Sequence, residues 1–235
     1  MYSVYWGAPL ESSKKLVIFD VDGTLNMTEL YAIPAYKKIL EKMGAEGFTD
    51  EMLKNRIGAA FMDDIRYFFG NRAEERKKEF EELVEEYWLK DVESKAKTFP
   101  HVNQTLQELI EKGYHLAICS NAEEDEIARV IKALHIEDYF RYVQGITKQQ
   151  TKSHSLHRLL EKVRPEWAVM VGDRFYDKEA AEDNGIPFIA CLYGYGKEGE
   201  FSGNELSITD ICQLPSVVEG QRRNGVKDEI QLKQT

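Results

Sequence analysis

The sequence predicts an α/β protein, a Rossmann-like doubly wound parallel sheet with an inserted helical cap. Three observations point there. Short apolar runs without polar alternation recur along the chain, as in strands covered on both faces. Helix-period segments separate most of them, the order that winds a parallel sheet with right-handed crossovers. Between the first two runs, about 70 residues carry helix-like patterns alone.

The first run, "KKLVIFDVDGTL" (14–25), supplies a buried strand ending at Phe19. After it, "TELYAIPAYKKILEKMG", "TDEMLKNRIG", "FMDDIRYFFG" and "AEERKKEFEELVEEYWLKDVESKAK" read as helices jointed at Gly44, Gly58 and Gly70. The charged run in the last is a solvated helix face with Glu/Lys pairs. A core of residues 1–25 and 97–235 around a cap of residues 26–96 is therefore expected. A length of 235 residues suits one core domain with a smaller insertion. The core continues with an amphipathic helix over 102–113, its apolar positions Val102, Leu106, Leu109 and Ile110 closing on Gly113. Strands "HLAICSN" (115–121), "FRYVQGI" (140–146), "WAVMVGD" (167–173) and "PFIACLYGYG" (187–196) follow, with helices over 122–136 and 153–163. Residues 1–10 and the polar tail are expected to fray.

A net charge of −10 and a pI near 5.1 argue against nucleic acid or an anionic membrane as partner. No apolar run reaches the roughly 18 residues of a membrane span, and the N-terminus lacks a secretory pattern, so a cytoplasmic protein is expected. Cys119, Cys191 and Cys212 are far apart and form no C-x-x-C pair, which reads as buried free thiols. His154 and His157, three apart on an amphipathic helix, read as surface residues.

The polar groups converge where ligands bind in such a sheet, at the carboxyl ends of the strands. Asp20, Asp22 and Thr24 follow the first strand, Ser120 and Asn121 the second, Asp173 and then Asp177 the "AVMVGD" strand. Each motif alone serves equally as a turn or a helix cap. Together at one edge they form an acidic cluster. Two carboxylates about 5 Å apart repel by roughly 3 kcal/mol at an effective dielectric of about 20, so a shared cation is implied. A set of carboxylates without His or Cys suits Mg²⁺, which also binds phosphate oxygens.

These motifs, "FDVDGTL", "AICSN", a lysine ahead of a helix and "VGDRFYDKEAAEDNGIP", resemble those of the haloacid dehalogenase superfamily. The likeness is to its phosphatases with an all-helical cap, and "TFPHVNQTLQELIEKGYHLAICSN" and "LYGYG" are similar to phosphoglycolate-phosphatase-like members. The resemblance implies that Asp20 is the nucleophile of an aspartyl-phosphate mechanism and Asp22 the general acid and base. It implies Mg²⁺ on Asp20, the Asp22 backbone carbonyl and Asp173, with Asp177 steering that shell. Thr24, Ser120 and Asn121 would bind the phosphoryl group with a lysine. Lys152 is favoured over Lys148 because it immediately precedes a helix, although neither is followed by the family's usual proline. The chain also departs at Met27, where many relatives carry Asp. In the cap, Arg56 in "NRIGAAF" reads equally as an anion contact or a helix-surface residue.

The reading is a phosphatase of a small phosphorylated metabolite, monomeric or homodimeric. Its alternatives are a β-phosphoglucomutase-type phosphomutase, a receiver-like signalling domain and a catalytically silent phosphate-binding protein. The insertion disfavours the receiver, and the presence of both Asp20 and Asp22 disfavours the silent protein.

Overall fold

A computed structural model describes residues 15–146, 151–197 and 199–222. Its sheet holds six parallel strands, β1 (Lys15–Phe19), β2 (His115–Cys119), β3 (Phe140–Gln144), β4 (Trp167–Gly172), β5 (Phe188–Cys191) and β6 (Leu206–Ile208). They lie in the order β3-β2-β1-β4-β5-β6. The first strand is therefore central, and the order reverses beside it. Alternate residues of β1 serve opposite faces: Val17 and Phe19 join one hydrophobic cluster, Leu16 and Ile18 the other. That accounts for the unbroken apolar run, since neither face meets water.

Helices α1 (Glu29–Lys42), α2 (Asp50–Lys54), α3 (Phe61–Phe69), α4 (Ala73–Val84) and α5 (Lys90–Lys95) lie between β1 and β2. Their core is aromatic. Tyr36 packs on Phe68 and Trp88, with centroids 5.3 and 5.1 Å away. The long charged helix expected here is broken by a π turn over Glu85–Leu89. The extra residue per turn brings Trp88 inward, against Tyr31 at 5.8 Å. The two chain crossings into this layer are joined by backbone bonds, Met27 N to Lys97 O at 2.8 Å and Phe99 N to Leu25 O at 3.0 Å.

The remaining helices are α6 (Val102–Glu111), α7 (Glu124–Ala133), α8 (Lys152–Val163) and α9 (Phe175–Asp183). Buried residues of α6 and α7 belong to the Val17 and Phe19 cluster, those of α8 and α9 to the Leu16 and Ile18 cluster. The sheet is thus wound on both faces.

Two differences from the sequence reading matter for the site. The strand expected over 187–196 ends at Cys191 because Gly194 N turns back onto Cys191 O at 3.2 Å. That turn releases Tyr193 and Tyr195 from the sheet. Strand β6 went unread, being three residues long with two of them exposed. Cys119 and Cys191 are buried as expected, but Cys212 is exposed, a correction to the reading of three buried thiols. It sits on a short 3₁₀ turn after β6 whose buried face is filled by Ile211 instead. The ends expected to fray, residues 1–10 and most of the tail, lie outside the described residues. No helix among the described residues is long and apolar enough to cross a membrane.

Candidate active site

Strands β1 and β4 pair in register, Phe19 beside Val171, so the residues that follow each strand emerge side by side. Asp20 N donates to Val171 O at 2.9 Å. Asp20, Asp173 and Asp177 each present an oxygen within 4.8 Å of the others, and all three are buried. Strand β2 flanks β1 on its other side, Ile118 beside Phe19, which brings Ser120 to the same edge.

Close backbone approach makes room for these carboxylates. Gly23 has φ +81°, and a Cβ there would stand 2.1 Å from Asp173 Oδ2. At Gly172 a Cβ would stand 2.2 Å from Asp177 Cγ. Both sites exclude any side chain.

Lysine 152, the first residue of α8, supplies the cation. Its Nζ lies 2.6 Å from Asp20 Oδ1 and 2.5 Å from Asp177 Oδ1, with 4% of the side chain exposed. Burial alone would depress its ammonium, but Asp177 and Asp20 together hold it well above the ordinary lysine range. Lys148 lies outside the described residues.

Asp177 performs both roles its motif allows. Its Oδ2 accepts from Arg174 N at 3.0 Å, capping α9, while Oδ1 faces Lys152. Asp173 is held by neutral donors, Tyr195 N at 2.6 Å and the Thr24 hydroxyl at 3.3 Å. The Thr24 hydroxyl, expected on a phosphoryl oxygen, is thus directed at a carboxylate of the cluster. Ser120 Oγ accepts from Ala122 N at 3.3 Å.

Lys152 thus pairs with two of the three buried carboxylates, and the excess negative charge shows at Asp20 and Asp173. Burial pushes Asp20 up to about 7 against the pull of Lys152, with Asp177 and Asp22 adding to the rise. Burial, Asp20 and Asp177 hold Asp173 well above the usual carboxylate range. A hard divalent cation would relieve this imbalance, and the all-oxygen donor set fits Mg²⁺.

Asp22 points away from that cluster. Its Oδ1 accepts from the Thr28 hydroxyl at 2.5 Å, and Thr28 in turn accepts from Asn26 Nδ2 at 2.8 Å. Asn26 also donates to the Tyr31 hydroxyl at 2.7 Å. Burial raises the Asp22 carboxyl, and the Thr28 bond partly opposes that rise. Asn26 and Thr28, which flank the departure at Met27, are thus an orienting network for Asp22. Sequence reasoning missed it because Thr28 reads only as the start of a helix-like segment; its side chain makes no cap bond there. Glu126 on α7 was missed too. Burial, with Asp22 nearby, pushes its carboxyl up to about 8.

The loop after α2 covers this edge. Asn121 Nδ2, expected at a phosphoryl group, donates to Gly58 O at 2.9 Å. Arg174 Nη1 donates to Ile57 O at 2.7 Å and Asn55 O at 3.3 Å, while its Nη2 pairs with Glu200 at 3.1 Å. Nothing in the sequence marked Arg174 beyond its place inside "GDRFYD". Arg56 is engaged within the helical layer between β1 and β2, its Nε 2.8 Å from Asp64 Oδ1 and its guanidinium over Tyr67. The Tyr36 hydroxyl donates to the other oxygen of Asp64. His154 and His157 are both exposed.

Known proteins resemble the chain in both sequence and fold. Over 188 residues, covering 78% of this chain and 87% of the relative, the sequence is 27% identical to phosphoglycolate phosphatase of Aquifex aeolicus. It is 26% identical over 194 residues to the tyrosine-protein kinase PtkA of Mycobacterium tuberculosis, covering 79% of this chain and 64% of that one. A haloacid dehalogenase-like hydrolase from Streptococcus pneumoniae superposes with a TM-score of 0.75 at 18% identity, covering 86% of this chain and 96% of that one. The family model for haloacid dehalogenase-like hydrolases matches residues 17–191, which runs from β1 to the end of β5 and spans every carboxylate of the site. The chain belongs to the haloacid dehalogenase-like hydrolase family.

Proposed function

We propose that the protein is a Mg²⁺-dependent phosphatase that hydrolyses a small phosphate monoester through an aspartyl-phosphate on Asp20, with phosphoglycolate-like substrates foremost. The observation that carries this reading is the set of three buried carboxylates, two of them paired with one lysine, beside a separately held Asp22.

In this reading Asp20, Asp173 and the Asp22 backbone carbonyl hold Mg²⁺, with Asp177 behind them. When bound, the ion neutralises charge on the phosphoryl oxygens. One Asp20 oxygen is fixed by Lys152, which leaves the other to attack phosphorus. The P–O bond to the leaving group breaks as the new one forms, and Asp22 gives its proton to the departing oxygen. Water then attacks the phosphorus of the aspartyl-phosphate, Asp22 takes its proton, and Asp20 is released. An elevated carboxyl suits a group that must donate first and accept second. Thr28 keeps that group apart from the nucleophile. The cap loop held by Asn121 and Arg174 excludes bulk water, which favours small substrates.

Phosphate release should be measured across two-carbon, sugar and nucleotide monoesters, with Mg²⁺ and with chelator, for the parent and Asp20→Asn. Release that needs Mg²⁺ and is lost in Asp20→Asn is expected. Turnover undiminished by the substitution would refute the nucleophile, and equal turnover in chelator would refute the metal. Phosphate retained on a sugar instead of released would favour the phosphomutase alternative.

A further inference from the structure

We propose that His101, Asp210 and Cys212 form a second metal site, selective for Zn²⁺ or a similar borderline transition ion. The three residues each offer one ligand atom, and these atoms all lie within 4.8 Å of one another. They come from two separate elements, the N-terminus of α6 and the turn after β6, and meet 109 residues apart in sequence.

The donors are one nitrogen, one oxygen and one sulfur. Carboxylate-only clusters suit Mg²⁺, whereas an imidazole and a thiolate favour Zn²⁺ and its neighbours. The two sites of this chain are therefore of different character, and excess Mg²⁺ would keep the carboxylate site occupied while a borderline ion binds here. A tetrahedral Zn²⁺ site places its ligand atoms about 3.3 to 3.6 Å apart. His101 Nδ1 is already 3.0 Å from both oxygens of Asp210. Small side-chain rotations within the cluster would open space for the ion. Water would occupy the fourth position, since His101 and Asp210 are 49% and 39% exposed.

The cluster is held by its backbone as well. His101 takes the left-handed conformation, φ 66° and ψ 0°, at the N-cap of α6. A non-glycine residue there is strained, and the imidazole gains its contact with Asp210 in return. On the other side Asp210 accepts from Cys212 N at 2.9 Å, and Gln213 Oε1 accepts from Thr209 N at 2.9 Å. The ligand-bearing turn is thus fixed before any ion arrives. The Cys212 thiol, bonded to Asp210, is raised above its ordinary value. Binding would replace the S–H bond by a sulfur–metal bond and release that proton to solvent. Cys212 is the exposed thiol among the three cysteines, so an ion can reach it.

The site adjoins the catalytic loop through one aromatic strut. Phe99, two residues before His101, packs on Tyr193 at 5.0 Å, and the Tyr193 hydroxyl donates to Thr24 O at 2.9 Å. Occupancy would therefore stiffen the support behind Thr24.

The test is a Co²⁺ titration of the full chain in excess Mg²⁺, followed by displacement with Zn²⁺. A thiolate-to-cobalt charge-transfer band saturating at one equivalent is expected, bleached by Zn²⁺ and retained in Asp20→Asn. Cys212→Ser should abolish the band, and His101→Asn should weaken Co²⁺ binding about tenfold or more. Zn²⁺ should also protect Cys212 of the parent chain from alkylation and raise its melting temperature. No band, a band that survives Cys212→Ser, or Zn²⁺ binding abolished by Asp20→Asn would each overturn the proposal.

Discussion

Replacing Lys152 by Met tests whether one ammonium holds two of the three buried carboxylates in place. The substitution nearly preserves volume and removes only the charge. In the parent chain Nζ serves Asp20 and Asp177 at 2.6 and 2.5 Å, with 4% of the side chain exposed. Removing one partner of a buried pair typically costs about 3–5 kcal/mol, because the remaining charge stays desolvated and unpaired. Here two carboxylates lose their partner, so the upper half of that range, about 4–5 kcal/mol, is expected in the metal-free protein. Urea unfolding in chelator at pH 8 measures it. Saturating Mg²⁺ supplies replacement charge to the same oxygens and should narrow the gap. Activity cannot be restored this way, since the nucleophile has lost the group that orients it. A fall in kcat/KM on the order of 10² to 10³ is expected, similar to the loss of one aligned electrostatic partner in other active sites. A variant as stable as the parent in chelator, with full kcat/KM, would refute this electrostatic account.

Asn121→Ala removes the 2.9 Å bond to Gly58 O and should lower stability in urea by roughly 1 kcal/mol and, by loosening the loop over the site, lower kcat/KM as well; unchanged stability and kcat/KM would count against the contact. Glu126 titrates up at about 8, and its ionisation places a second negative charge near Asp22. KM for an anionic substrate should therefore rise above pH 8 in the parent and stay flatter in Glu126→Gln; superimposable pH profiles would count against it. Asp64 in the cap is held up at about 6, chiefly by burial, with Arg56 pulling the other way. A carboxyl raised in the folded state contributes stability that is complete below its unfolded value near 4 and lost as pH rises through 6. The stability difference between the parent and Asp64→Asn should therefore shift against the parent by about 2 kcal/mol between pH 4.5 and 7, read by urea unfolding at those two values.

The site was legible where chemistry and strand ends coincide. An apolar run such as Leu16 to Phe19 fixes a doubly covered strand, and the rule that ligands bind at strand ends then selects Asp20, Ser120 and Asp173. Lys152 was legible because a helix begins on it. What stayed hidden depends on side chains meeting across the fold. Thr28 reads only as the start of a helix-like segment, and its contact with Asp22 shows that its hydroxyl is used there. Arg174 and Asn121 read as local motif residues, yet both reach cap carbonyls more than 60 positions away. Strand β6 is too short and too exposed to leave an apolar pattern. The π turn around Trp88 breaks a charged helix whose period gives no warning of it. Cys212 looked like its two buried counterparts because a single thiol carries no periodicity of its own.

The central claim, that the phosphoryl group passes through Asp20, is tested most directly by trapping it. Protein turning over substrate with Mg²⁺ is quenched in acid, reduced with borohydride and digested for mass spectrometry. An aspartyl-phosphate at Asp20 is reduced to homoserine, so the peptide carrying "LVIFDVDGTL" should lose one oxygen and gain two hydrogens at position 20, and only when substrate is present. Conversion at Asp22 instead, or turnover with no conversion at any aspartate, would contradict the account.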